Sequence, residues 1–236
     1  RHTAVGLNFI DIYHRSGHYP LPSYPAALGM EGAGVIEAVG RGVRDLKKGQ
    51  RVAYATIPLG SYSEARLIAA DRLVPLTPGV SDECAAAVML KGMTAEYLIR
   101  RTYRVGKADT ILVHAAAGGV GLIACQWAKE VGATVISVVS NDKKARLAKR
   151  YGCKHPVVAT KPQDLTDAVM RITKGVGVDV VYDSIGKAMW QSTLDSVRRR
   201  GLVVNFGSAS GKPPLLDLAF EGGRKSAYFM RATGGN

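Results

Sequence analysis

The stretch Ile111-Leu112-Val113-His114-Ala115-Ala116-Ala117-Gly118-Gly119-Val120-Gly121 restricts the fold of this chain more than any other. Its aliphatic start has no polar alternation, which suits a strand covered on both faces. The small residues that follow turn the chain into a helix reaching about residue 131. A doubly buried strand that feeds a helix through a tight turn belongs to a parallel sheet. The wider apolar stretch Ile111 to Ala128 approaches the roughly 18 residues of a membrane helix. Gly118, Gly119 and Gly121 interrupt it, and His114 and Gln126 lie inside it, so it reads as strand, turn and helix.

From about Gly92 the rest of the chain repeats this theme. Strands are expected at Thr110–His114, Thr134–Val139, Pro156–Ala159, Val178–Tyr182, Leu202–Phe206 and Ala227–Met230. Helical segments fall near 119–131, 142–151, 163–174 and 187–199. This alternation implies an α/β fold with a doubly wound parallel sheet of Rossmann type, since right-handed crossover helices join parallel strands. Before about Lys91 the pattern differs: short apolar runs at Val35–Val39, Arg51–Ala55 and Tyr62–Ala69 are punctuated by Gly and Pro, which reads as a β-rich part. A length of 236 residues fits one or two domains, at roughly 100–200 residues each. The change of pattern divides the chain into 1–91 and 92–236.

The net charge of +13 either favours acidic partners, such as nucleotide phosphates, nucleic acid or an anionic surface, or serves solubility alone. Cys84, Cys125 and Cys153 are odd in number and form no C-x-x-C pair. They offer neither a disulfide framework nor a cysteine-rich zinc site, and a reducing compartment, the cytoplasm, fits best.

The glycine-rich turn carries the strongest chemical signal. Small residues there let backbone N–H groups approach a diphosphate, and the positive end of the following helix favours the anion. The spacing is A-x-G-x-x-G, with Ala116 where a first glycine would stand; the alternative is a tight turn that needs small residues only for packing. The strand 134–139 ends at Ser140, where NAD-binding folds place an acid on the ribose 2′-hydroxyl. Without an acid, a 2′-phosphate fits there, hydrogen-bonded by Ser140 and Asn141 and paired with Lys144 or Lys143, which favours NADPH. A helix N-cap followed by solvated lysines is the alternative. Two further strand ends, with Ser184 after the fourth strand and Phe206-Gly207-Ser208 after the fifth, leave room for a ribose and a nicotinamide or are ordinary turns.

The residues 115–122, with Gln126-Trp127-Ala128-Lys129 and Gly132-Ala133, resemble the zeta-crystallin-like quinone oxidoreductases of the medium-chain dehydrogenase/reductase superfamily. So do Gly6-Leu7-Asn8-Phe9-Ile10-Asp11 with Tyr13, Gly17 and Tyr19-Pro20, the run Gly29 to Val35, and Lys91-Gly92-Met93-Thr94-Ala95. The resemblance implies a GroES-like catalytic domain, of which 1–91 is the N-terminal part, beside a Rossmann domain, with the active cleft between them. Complete members continue beyond both ends of the present chain. It also implies reduction of quinones or related enones by NADPH.

The resemblance implies no metal as well. Zinc-dependent relatives carry ligands where Asn8, Met30 and approximately Leu90 stand here, and none of these suits zinc. Asn8, Tyr13 and Tyr19 are then expected at the nicotinamide and substrate, with a tyrosine hydroxyl hydrogen-bonding a quinone oxygen; half-buried packing is the alternative for the tyrosines. Thr94 contributes a hydroxyl near the cofactor. The diphosphate falls to Ala117, Gly118, Gly119, Val120 and Gly121. At Thr160 the chain departs from close relatives that place a tyrosine near the 2′-phosphate, and a threonine reaches less far. His114, ending a buried strand, is expected to be a packed core residue. A homodimer through the last strand is implied, with RNA as a candidate second partner, no membrane association, and an NADPH-modulated RNA-binding or crystallin-like structural protein as the alternative function.

Overall fold

The computed structural model describes residues 1–233; positions 234–236 of the expected second domain lie outside the described residues. The chain divides into two compact units, Arg1–Gly92 and the residues from Met93 onward.

In the first unit, strands β1 (His2–Gly6), β2 (Glu31–Val35), β3 (Arg51–Ala55) and β4 (Val74–Pro75) form an antiparallel sheet in that order. Helix α1 (Phe9–Arg15) and the start of α2 (Asp82–Glu96) complete it. Its small core is built on Ala33, Ala53, Ala85 and Ala86, flanked by Ala4, Leu76, Val80 and Met89. Two expected strands differ. The run at Val35–Val39 contributes only Val35, because the strand is the glycine-bearing Glu31–Val35, bonded between β1 and β3. Tyr62–Ala69 is a loop: Ser63 Oγ donates to the carbonyls of Gly60 and Ala65, and this local bonding competes with a ladder.

In the second unit, β5 (Thr110–His114), β6 (Thr134–Val139), β7 (His155–Val158), β8 (Val178–Asp183), β9 (Val197–Asn205) and β10 (Tyr228–Arg231) form a parallel sheet ordered β10-β9-β8-β5-β6-β7. Each expected strand is present with ends shifted by a few residues, most at β9, which starts five residues early at Val197. The expected helices are α3 (Gly119–Glu130), α4 (Asp142–Arg150), α5 (Pro162–Ile172) and the short α6 (Trp190–Ser196).

The two-sided burial of the strands follows from their alternation. Ile111, Val113, Val135, Val180, Tyr182 and Val204 face a core made with α3, α4 and the turn after α2. Leu112, Ile136, Val138, Val181 and Val203 face the opposite core, where Leu165 and Val169 of α5 pack. Every second residue belongs to a different core, so no polar alternation survives in the sequence. The chain runs outward from β5 to β7, then returns to the other side of β5 at β8, so the strand order reverses beside β5. Ligands of open α/β sheets bind at such a reversal, outside the carboxyl ends of the strands. Among the described residues no helix is long and apolar enough to cross a membrane.

Candidate active site

At the end of β5 the chain enters the turn through Ala115, whose φ of 51° lies in the left-handed region. The Gly118 N–H closes the turn on the Ala115 carbonyl at 2.8 Å, and Gly118 caps α3. The first turn of α3 carries no acidic residue, so its N–H groups and positive end stay available to an anion. Gly121 is required by packing: a Cβ there would stand 2.5 Å from the Ala116 Cα. Helix and strand thus approach as closely as a small-residue turn permits.

A cavity of about 420 Å³ opens beside this turn. It brings together Ala117 and Gly118 with Ser140 and Lys144 from the end of β6 and Thr160 from beyond β7. Lys144 Nζ donates to Ser140 Oγ at 3.0 Å, which aims the ammonium at the strand end. Among the described residues no carboxylate lines the cavity. The Asn141 side-chain oxygen accepts the Lys144 N–H at 3.0 Å and caps α4. Asn141 is thus an N-cap, and Ser140 and Lys144 line the cavity. Gly119, Val120 and Gly121 lie in the first turn of α3.

Ser184, Phe206, Gly207 and Ser208 are outside that cavity, at the neighbouring ends of β8 and β9. There the fully buried Asp183 organises both strand ends. Its Oδ1 accepts the N–H groups of Ile185 at 2.8 Å and Gly186 at 3.0 Å. Its Oδ2 accepts from Asn205 Nδ2 at 3.1 Å. His114 Nδ1 stands 3.0 Å from Oδ1, a close electrostatic contact without aligned hydrogen-bond geometry. Burial works to raise the Asp183 carboxyl, but His114 and the two amides outweigh it and hold the group below its ordinary range. His114 is buried as expected, yet it adjoins a carboxylate rather than apolar neighbours alone.

In the first unit Asn8 precedes α1 and is buried. Its amide donates to Glu31 Oε2 at 2.7 Å, and its own N–H donates to Asp11 Oδ2 at 2.9 Å. Glu31 is fully buried; it also accepts from Lys91 Nζ at 3.1 Å and from the Leu90 N–H at 2.7 Å. Tyr13 and Tyr19 meet edge to face with ring centroids 5.0 Å apart, and Tyr13 packs against His18 at 4.8 Å. Tyr62 donates to Asp11 at 2.7 Å, and burial followed by this bond pushes its hydroxyl well above the ordinary tyrosine range. Met30 and Leu90 flank Glu31 through the backbone, and among the described residues no three His, Cys, Asp or Glu cluster within reach of one metal ion. Thr94 is half-buried on α2.

Sequence reasoning passed over Glu31, Asp183 and Asn205, as well as the cavity residues Ile185, Ala188 and Met189. Glu31 lies inside the run Gly29 to Val35, and nothing in that run signals that its carboxylate is buried. Asp183 at the end of an apolar strand was a readable signal, because a charge there must find donors.

Two family profiles match the chain: an alcohol dehydrogenase GroES-like domain over residues 1–110 and a zinc-binding dehydrogenase over residues 119–233. A quinone oxidoreductase of Pseudomonas aeruginosa is 50% identical over 236 residues, all of this chain and 72% of that protein. A 2-haloacrylate reductase of a Burkholderia species is 45% identical, covering 98% of this chain and 70% of its own length. The crystal structure of Escherichia coli quinone oxidoreductase complexed with NADPH superposes with a TM-score of 0.95 at 45% identity, over 99% of this chain and 71% of that one. With its antiparallel unit, its parallel sheet and these relatives, the chain belongs to the quinone oxidoreductases of the medium-chain dehydrogenase/reductase superfamily.

Proposed function

We propose that the chain is an NADPH:quinone oxidoreductase that works without a metal. The observation that carries this reading is the acid-free cavity at the reversal of the strand order, where the glycine-rich turn, Ser140 and Lys144 meet. The space left by the missing Cβ of Gly121 lets α3 start close to the strand, so that the turn 117–121 seats the diphosphate and the N–H groups of 119–121 bind it. Ser140 and Lys144 hold the 2′-phosphate, with Thr160 beside them. The strand ends at Ser184 and at Phe206-Gly207-Ser208 hold the nicotinamide half, and the Thr94 hydroxyl supports it. When bound, NADPH supplies the hydride, and quinone reduction is easy because it restores aromaticity.

The residues of the chain bind, orient and exclude water. In the unit Arg1–Gly92, read as the GroES-like catalytic part, Asn8 is held by Glu31, so its side chain keeps one orientation. Tyr13 and Tyr19 are braced by their edge-to-face contact, and the hydroxyl of one donates to a quinone oxygen as negative charge grows there. Parallel titration with NADPH and NADH, followed by NADPH oxidation with a simple ortho-quinone, tests the reading. Binding without turnover would leave only an idle cofactor carrier. The 2-haloacrylate reductase relative favours electron-poor alkenes as a second substrate class for the same assay.

The dimer is proposed to form through β10, which is the edge of the sheet and exposes Tyr228 and Met230. Sedimentation as a monomer at micromolar concentration would contradict it. The arginine run 198–200 gives RNA little support, since Arg198 is committed to Asp179 at 2.7 Å and to the Arg199 carbonyl. A cytoplasmic location is proposed on the three free thiols.

A further inference from the structure

We propose that Asp183, acting with Asn205, is a positioning residue that sets the two strand-end loops 184–186 and 206–208 for the nicotinamide half of the cofactor. The proposal rests on the NADPH reading above. One carboxylate oxygen takes the N–H groups of Ile185 and Gly186, which fixes the first loop. The other oxygen takes the Asn205 amide, and that same amide donates to the Gly207 carbonyl at 2.9 Å, which fixes the second. The backbone adds to this: Phe206 N–H donates to the Asp183 carbonyl at 2.8 Å and Ala209 N–H to the Ser184 carbonyl at 3.1 Å.

The loops are also in direct contact. A Cβ on Gly207 would stand 2.8 Å from the Ser184 carbonyl oxygen, so the two loops pack closely at this point. On the far side Arg231 of β10 donates to Asn205 Oδ1, and His114 of β5 stands against Asp183. Four adjacent strands, β5, β8, β9 and β10, thus end on one polar chain, buried at His114, Asp183 and Asn205 and open to solvent at Arg231. An apolar side chain at 183 would complete the core at lower desolvation cost. What the carboxylate adds is direction, because one side chain fixes amides of both loops in a single geometry on top of their backbone contacts.

Asp183→Asn keeps the shape but leaves one accepting oxygen for the duties of two. In the full-length chain without cofactor, amide hydrogen exchange at 185–186 or 206–208 should accelerate at least tenfold, while Leu112 and Val113 of β5 stay within twofold. The Kd for NADPH should rise at least tenfold, and that for adenosine 2′,5′-bisphosphate, which needs only the glycine-rich turn, Ser140 and Lys144, less than threefold. Asn205→Ala frees the second loop alone and should give the same split between the two ligands, which covers the case in which Asp183→Asn does not fold. Unchanged loop exchange, or equal losses for both ligands, would overturn the proposal. Failure of the unaltered protein to bind either ligand would sink the cofactor reading instead, and the exchange measurement would still report on Asp183.

Discussion

The side-chain amide of Asn8 donates to a Glu31 carboxylate with no solvent exposure, at 2.7 Å. That carboxylate is buried, and Lys91 stands against it at 3.1 Å with its side chain still partly wet. Asn8 is therefore oriented by an ion pair and not by packing alone.

The first prediction follows from that pair. Lys91→Met should cost about 3 kcal/mol in urea unfolding, the lower end for a buried pair broken on one side. Glu31→Gln removes the charge but keeps an acceptor, and should cost less than half as much. The reverse order of the two variants would mean that Lys91 contributes nothing to the burial of Glu31.

Lys144 carries the second prediction. Its ammonium, 3.0 Å from Ser140, is exposed, so in the absence of a 2′-phosphate it adds little to stability. With one, it forms a charge-assisted bond. Lys144→Ala should raise the KM for NADPH about tenfold, equivalent to about 1.4 kcal/mol, and that for NADH less than twofold, with the melting temperature unchanged. Equal effects on both coenzymes would remove Lys144 from the 2′-phosphate site.

The third concerns the thiols. Cys84 is exposed, whereas Cys125 and Cys153 are buried, and burial pushes both thiols above the ordinary cysteine range. A disulfide reagent should titrate one thiol in the native chain and three after denaturation. More than one rapid native equivalent would contradict the packing of α3 against β6.

The parallel sheet was legible because its strands carry unbroken apolar runs and its turns carry glycine. The first unit was less so. β2 hides because Gly32 and Gly34 interrupt its apolar run, although both are paired on both sides. The loop 62–69 reads as a strand from its composition, but serine and glycine bend it. In the site, Ser140 and Lys144 announced themselves by spacing, since both follow a strand at a fixed offset. Glu31, Asp183 and Asn205 did not, because their roles depend on partners 22 to 60 residues away that only the fold assembles.

The last prediction uses the sign of the Asp183 shift. Its folded-state carboxyl lies below the ordinary aspartate value, which is 3.8. The unfolded chain therefore binds this proton at higher pH than the folded chain does. The group contributes stability that is fully present above that unfolded value and is lost as pH falls through it toward the lower folded value. Titratable or charged neighbours enter from two sides, His114 on β5 and Arg231 through Asn205, so protonation of Asp183 loosens both contacts together. Unfolding free energy followed from pH 6 down to pH 3 should fall less steeply below about pH 4 in Asp183→Asn than in the unaltered chain. Asp82, also held low by Thr3 and Arg51, titrates in both proteins and cancels in the difference. Parallel curves would mean that the Asp183 carboxyl titrates alike in the folded and the unfolded chain, so that His114 and the two loop amides do not stabilise its charge.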